Sequence, residues 1–553
     1  MKKYTIGLDF GTLSARALVV EVETGREAGT AALAYRHGVM AKALPTGEPL
    51  PPDWALQHPQ DYLDCVKTIV PKALAKAGVD KEQVIGIGVD FTACTLLPVD
   101  REGTPLCFDL DYIHRPHSYV KLWKHHAAQP YADRLNQLAR ERKEAFLPRY
   151  GGKTSSEWMF PKLWEVLEED PALYAAAHKF VEAGDWIVWQ LTGEEKRGSC
   201  AAGYKALWDK QEGYPTKDFF KALHPGLENV VEEKLSTQVY PSGTKAGGIS
   251  EKGAELTGLL PGTAVAVANV DAHVALPASG RAHSADMMMI IGTSTCHVMV
   301  QDKAYLAPGM SGMVEDGIVP GMMGYEANQV TGDHFAWLVN HYIPKEYEEQ
   351  AQKEGKNLHS YLTDLAQALQ VGESGLLALD WWNGNRSVLV DGQLSGLILG
   401  LSLQTKPEEI YRALIEATAF GAKRIHETFE QSGALIQNLF ACGGIAHKNP
   451  FMMQLYADVL GKNIRVAKSQ EAPALGSAMF GAVAAGAYKT IAQAAEKMGG
   501  ILDVVYTPNK ENQKKYRYLY EEYVRLHDYF GRGENPVMKK LKKMKAGDFK
   551  GLA

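Results

Sequence analysis

The chain opens on alternation. Tyr4, Ile6, Leu8 and Phe10 are apolar and their neighbours are small or polar, a period of two that predicts a strand. "ARALVVEV" (residues 15–22) predicts a second strand, and Thr24-Gly25 a turn after it. The two strands form a hairpin around the stretch "GLDFGTLSAR" (residues 7–16). The period then lengthens. Leu63, Val66, Val70, Leu74 and Ala77 recur every three to four residues and predict a helix. "VIGIGVDF" (residues 84–91) follows as a buried strand ending on an aspartate, Asp90. Strands followed by helices predict an α/β layer structure.

The middle of the chain is rich in Trp and His. "MFPKLWEVLEED" (159–170) is patterned as an amphipathic helix, and "DWIVWQLTG" (185–193) as a second one stopped by glycine. "AVAVANVD" (264–271) reads as one strand. The opening pattern then returns: "MMMIIGTSTCHVMV" (287–300) is again strand, Gly-Thr turn, strand. Two such hairpins far apart predict a duplicated architecture. The second half continues with a strand to Cys442, a Gly443-Gly444 turn, and a helix with Asn449 at its N-cap and Pro450 in its first turn. "ALGSAMFGAVAAGA" (474–487) predicts a small-residue helix suited to close packing. Residues 510–527 predict an amphipathic helix with Tyr516, Leu519, Tyr520, Tyr523 and Leu526 on one side, packed on the second half or serving a homodimer contact.

Composition narrows the class. Of 553 residues, 46% are hydrophobic and 22% charged, ample for a core and more than one domain. A net charge of −6 gives no global basic field, so neither nucleic acid nor an anionic membrane is an expected partner. The run Lys539-Lys540-Leu-Lys542-Lys543 reads as a solvated tail. The six cysteines are scattered without a C-x-x-C pair, which suggests no disulfide framework or structural zinc and fits a reducing, cytoplasmic setting. The apolar run after Met1-Lys2-Lys3 meets Asp9 too soon for a signal peptide. Residues 287–291 break at Gly292, far short of a membrane span.

The hairpin turns carry the chemistry. Gly11, Thr12 and Ser14 present backbone N–H groups and hydroxyls of the kind that hold phosphates. Arg16 can add a charge-assisted contact. Asp9, at the strand end, suits Mg²⁺, which keeps several waters and takes one or two carboxylates. Gly292, Thr293 and Ser294 repeat that chemistry in the second half, and the Gly443-Gly444 turn admits close backbone approach to a bulky ligand. Together they predict a nucleotide site gripped from two sides.

These stations, with "VDAHVALPASG" (270–280) and "ACGGIAHKNPFMMQLYADVLGKNI" (441–464), resemble those of the FGGY carbohydrate kinases of the actin-like ATPase superfamily. The resemblance spans nearly the whole chain. It implies two ribonuclease H-like α/β domains around a catalytic cleft, residues 1–280 and 281–553, the second ending in a helical tail. "VDFTACTLLPVD", "CAAGYKALW", "GYEANQVTGDHFAW" and "DWWNGNRSVLVDGQLSG" are most similar to the members acting on ribulose. The implied reaction is ATP- and Mg²⁺-dependent phosphorylation of ribulose, L-ribulose first, at its terminal hydroxyl, in L-arabinose catabolism.

By that resemblance Asp271 is the general base and a second Mg²⁺-side carboxylate beside Asp9. Ala93, Lys205, Asp271 and Glu326 line the sugar site. Thr12, Ser14 and Arg16 face the phosphates from one side, Gly292, Thr293 and Ser294 from the other. Gly332, Gly443, Gly444 and Asn449 border the adenosine. Loops of both halves meeting on one nucleotide imply domain closure, with a hinge around residues 272–285. The alternatives are a kinase of the same family acting on xylulose or glycerol, a chaperone-like or cytoskeletal ATPase without a sugar acceptor, and a sugar-sensing regulator.

Overall fold

A computed structural model describes residues 2–545 and Gly547. Its first sheet is built from β1 (Tyr4–Phe10), β2 (Ser14–Glu21), β3 (Glu27–Ala34), β4 (Val84–Phe91), β5 (Lys245–Gly248), β6 (Ala264–Ala266) and β7 (Asn269–Val270). The strand order is β3-β2-β1-β4-β6-β5, with β7 also on β4. β1 and β2 run antiparallel with Asp9 opposite Arg16, and β1 and β4 run parallel with Asp9 opposite Asp90. The second sheet holds β8 (Asp286–Ile291), β9 (Ser294–Gln301), β10 (Gly312–Glu315), β11 (Met323–Val330), β12 (Asn438–Cys442), β13 (Ile464–Ala467) and β14 (Ile501–Tyr506). Its order, β10-β11-β9-β8-β12-β13-β14, repeats the first: a hairpin whose leading strand pairs in parallel with a later strand. The duplication expected from the two Gly-Thr turns is therefore one of topology.

Three helices matter to the site. α1 (Met159–Glu169) and α2 (Ser199–Lys205) lie in the first half, and α3 (Ala472–Ala484) follows β13. α3 is the small-residue helix, and it packs on the sheet of the other half. A Cβ at Gly7 of β1 would sit 1.7 Å from the Ala474 carbonyl oxygen, and one at Gly88 of β4 would sit 1.8 Å from that of Ser477. No side chain fits there, so two glycine strands and an alanine-rich helix make a close seam between the halves. Ser477 Oγ donates to Asp90 Oδ2 across that seam at 2.6 Å. The helix Lys510–Gly531, which a last helix Val537–Lys545 follows, buries Tyr516, Tyr520 and Tyr523 in the core of the second half.

The stretch read as one strand over 264–271 is two. Ala264 and Val265 pair with Gly86 and Ile87, whereas Asn269 and Val270 pair with Asp90 and Phe91. The offset grows by one residue across Val267–Ala268. Such a bulge re-aims the side chains beyond it, and the first residue beyond β7 is Asp271.

Candidate active site

A cleft of about 1030 Å³ separates the halves. Asp9 at the end of β1, Thr12 in the first turn, Ala93 after β4, Lys205 at the end of α2, and Asp271 after β7 face it from the first half. Thr293 and Ser294 of the second turn and Glu326 of β11 face it from the other. Eight of the residues expected from sequence thus share one cavity.

In each turn the glycine N–H closes the loop on a serine carbonyl, the second loop being one residue shorter than the first. Gly11 N donates to Ser14 O at 3.0 Å, and Gly292 N donates to Ser294 O at 2.9 Å. Gly332 supports the second turn: its N–H donates to Gly292 O at 3.0 Å, and a Cβ there would lie 2.7 Å from that oxygen. Gly443, at φ +94°, packs against the end of β8, where a Cβ would meet Ile291 O at 2.5 Å. The glycine turn therefore sits beside the second hairpin turn. Asn449 caps the helix Pro450–Leu460, its Oδ1 accepting from Met452 N at 2.9 Å. Ser14, Arg16, Gly292, Gly332, Gly443, Gly444 and Asn449 are not among the residues lining the cleft.

Arg16 is already engaged. Its Nη1 hydrogen-bonds Glu471 Oε2, 455 residues away in sequence, and lies 3.9 Å from Asp9 Oδ2. Glu471 immediately precedes α3, so the helix that joins the halves also holds the arginine of the first turn. No sequence motif signals that pairing.

Lys205 and Glu326 were both expected to meet sugar hydroxyls. The structure pairs them with each other, Nζ to Oε2 at 2.7 Å, both buried. Asn328 Nδ2 donates to Glu326 Oε1 at 2.7 Å, and His273 Nε2 lies 3.4 Å from Oε2. Burial disfavours the charge on each partner, and the opposite charge overrides it: Lys205 is held above its ordinary pKa and Glu326 well below. Asn328 was missed, although alternation places it on the same face of β11 two residues after Glu326.

The aspartates behave oppositely. Burial, then the nearby Asp9 charge, pushes Asp271 up to about 7. Burial raises Asp9, against hydrogen bonding with Asp90 and the charge of Arg16. Burial followed by the charge of Asp9, with that of Asp271 adding to it, drives Asp90 well above its ordinary value. Three carboxyls short of positive charge attract a cation or a proton. Among the described residues no group of three or more His, Cys, Asp or Glu is arranged to hold a metal ion. One or two carboxylate oxygens do suit a hard ion that keeps its waters.

The far wall carried no expectation. Glu157 Oε1 lies 3.2 Å from His126 Nε2 and 3.4 Å from Arg386 Nη2, and Lys153 Nζ donates to Val390 O at 3.1 Å. Burial would raise Glu157, but Arg386 and His126 bring it down to about 2. The Glu157–Arg386 and Lys153–Val390 contacts join the halves across the cleft.

The family model "FGGY family of carbohydrate kinases, N-terminal domain" matches residues 4–277, and the C-terminal domain model matches residues 287–485. A protein named ribulokinase from Shouchella clausii is 55% identical over 99% of this chain and 98% of its own. Another of that name from Halalkalibacterium halodurans is 53% identical over 98% of each. The solved ligand-bound xylulose kinase of Lactobacillus acidophilus aligns with a TM-score of 0.78 at 17% identity, over 96% of this chain and 99% of that one. Such a likeness establishes the fold: two α/β halves of the actin-like ATPase type. Among the described residues no helix is long and apolar enough to cross a membrane.

Proposed function

The chain belongs to the FGGY family of carbohydrate kinases, and from that premise we propose that it transfers the terminal phosphoryl group of ATP to the terminal hydroxyl of ribulose, L-ribulose foremost. The product is ribulose 5-phosphate, and the setting is L-arabinose catabolism. One observation carries this reading. A carboxyl raised to about 7 shares a cleft with a buried Lys–Glu pair and with matching polar turns from both halves.

Phosphoryl transfer depends on positioning and charge stabilisation. Thr12 on one side and Thr293 and Ser294 on the other are the groups to receive the phosphates. Gly332, Gly443 and Gly444 shape the ground behind the second turn, where the adenosine is expected. Asp9 with Asp271 would hold Mg²⁺, which when bound neutralises charge on the phosphates. Glu326 keeps oxygen lone pairs for sugar hydroxyls, and Lys205 fixes that carboxylate while offering N–H donors of its own. Ala93 presents backbone and leaves space. Asp271, with a proton affinity near that of a neutral solution, takes the hydroxyl proton as the oxygen attacks the phosphorus. Closure of the halves would exclude water.

ADP release measured with ribulose, xylulose, glycerol and no acceptor tests the proposal. Release is expected to require an acceptor and to show its largest kcat/KM with ribulose. Equal release without sugar would overturn it, and a preference for xylulose or glycerol would reassign the substrate within the family.

A further inference from the structure

Lys162 takes no part in the chemistry above, yet its side chain is fully buried. It projects from α1, and three carbonyls receive its N–H groups: Cys94 O at 2.6 Å, Leu122 O at 2.8 Å and Lys121 O at 3.3 Å. Cys94 belongs to the loop after β4 and Leu122 precedes Trp123. Ala93, Cys94 and Trp123 all line the cleft.

The Cys94 carbonyl shares its peptide group with the N–H of Thr95. That N–H donates to Glu182 Oε2 at 3.1 Å, and Glu182 is also buried. One peptide plane is therefore gripped at both ends, by the Lys162 ammonium on its oxygen and a Glu182 carboxyl oxygen on its hydrogen. Donor and acceptor each meet the end of the peptide dipole that suits them. The grip falls where the backbone needs it: Cys94 adopts φ +61°, the left-handed region that residues other than glycine seldom occupy. Thr95 Oγ1 adds a bond to Thr92 O at 2.6 Å.

Buried charges are a costly way to stabilise a core, and apolar replacements are often at least as stable. Their presence here fits a need for one loop conformation. We propose that Lys162 and Glu182 are positioning residues that clamp the Cys94–Thr95 peptide and so fix the floor of the sugar site presented by Ala93 and Cys94. The proposal rests on the kinase reading and deepens it: acceptor binding depends on the clamp, and nucleotide binding does not.

Calorimetric titration of nucleotide-free protein with ribulose, and separately with ADP, tests this. Lys162→Met and Glu182→Leu are each expected to weaken ribulose about 10- to 100-fold, the scale of a small misplacement of binding groups. ADP affinity should stay within about twofold, as for an independent site. Glu182→Gln keeps an acceptor for the Thr95 N–H and is expected to retain ribulose affinity. The double variant should lose little beyond either single one, because both act on one peptide. Unchanged ribulose affinity in the single variants, or parallel losses for ribulose and ADP, would overturn the clamp. If Lys162→Met does not fold, the contrast between Glu182→Gln and Glu182→Leu decides the matter. Failure of the unaltered protein to bind ribulose would count against the functional reading, and the clamp is then judged on whichever sugar that protein binds.

Discussion

Asp271→Asn is expected to lower turnover by about 10²- to 10⁴-fold, the range general-base catalysis contributes, while ADP and ribulose still bind. Asparagine keeps an oxygen for the Ala272 N–H, which Asp271 Oδ1 now accepts at 2.7 Å, and removes the affinity for a proton together with one carboxylate of the Mg²⁺ side, which leaves Asp9 for the ion. The pH profile separates this role from a structural one. A base must be unprotonated, so kcat/KM of the unaltered enzyme should fall as pH drops through about 7, where burial places Asp271. The residual activity of the variant should lack that limb. Stability moves the other way. The folded-state pKa is raised from 3.8, so between that value and about 7 the folded protein binds more protons than the unfolded, and stability falls as pH rises. The variant, with no carboxylate to desolvate, should hold its melting temperature from pH 5 to 8 better than the unaltered protein. A variant that loses stability and substrate binding together would indicate a structural residue.

Lys205→Met is expected to be the most destabilising single change in the cleft. It strands Glu326 in a buried site, and breaking one side of a buried pair costs about 3–5 kcal/mol. Glu326 then favours its protonated form, so the variant should gain stability as pH falls from 8 towards 5. Lys205→Met with Glu326→Leu removes both charges and should recover most of the folding free energy in chemical denaturation. It should not recover the sugar, because the buried ammonium and carboxylate that are to meet the hydroxyls are both gone. Lys205→Met as stable as the parent, or a double variant that phosphorylates ribulose normally, would show that the pair is not part of the acceptor site.

The framework was legible for local reasons. Each hairpin is strand, glycine turn, strand, and that pattern needs no distant information. Asn449 and Pro450 announced a helix start and produced one. What eluded sequence reasoning depends on tertiary contact. Lys162 and Glu165 carry charges in an amphipathic-looking helix, yet both are buried, because carbonyls and the Lys121–His125 cluster meet them. Arg16 looked free for a phosphate until the fold brought Glu471 beside it. The bulge before Asp271 is one extra residue in an apolar run, and alternation cannot reveal it where both faces are buried. The far wall of the cleft comes from Glu157 and Arg386, which no short motif links.

Everything proposed for the cleft comes to the delivery of phosphate to one end of a ketopentose. NMR of the product from ribulose carrying ¹³C at C5, ATP and Mg²⁺ tests it most directly. One phosphomonoester is expected, formed with an equal amount of ADP, in which phosphorus couples to the labelled C5. Inorganic phosphate in place of the ester, or an ester without coupling to C5, would contradict it.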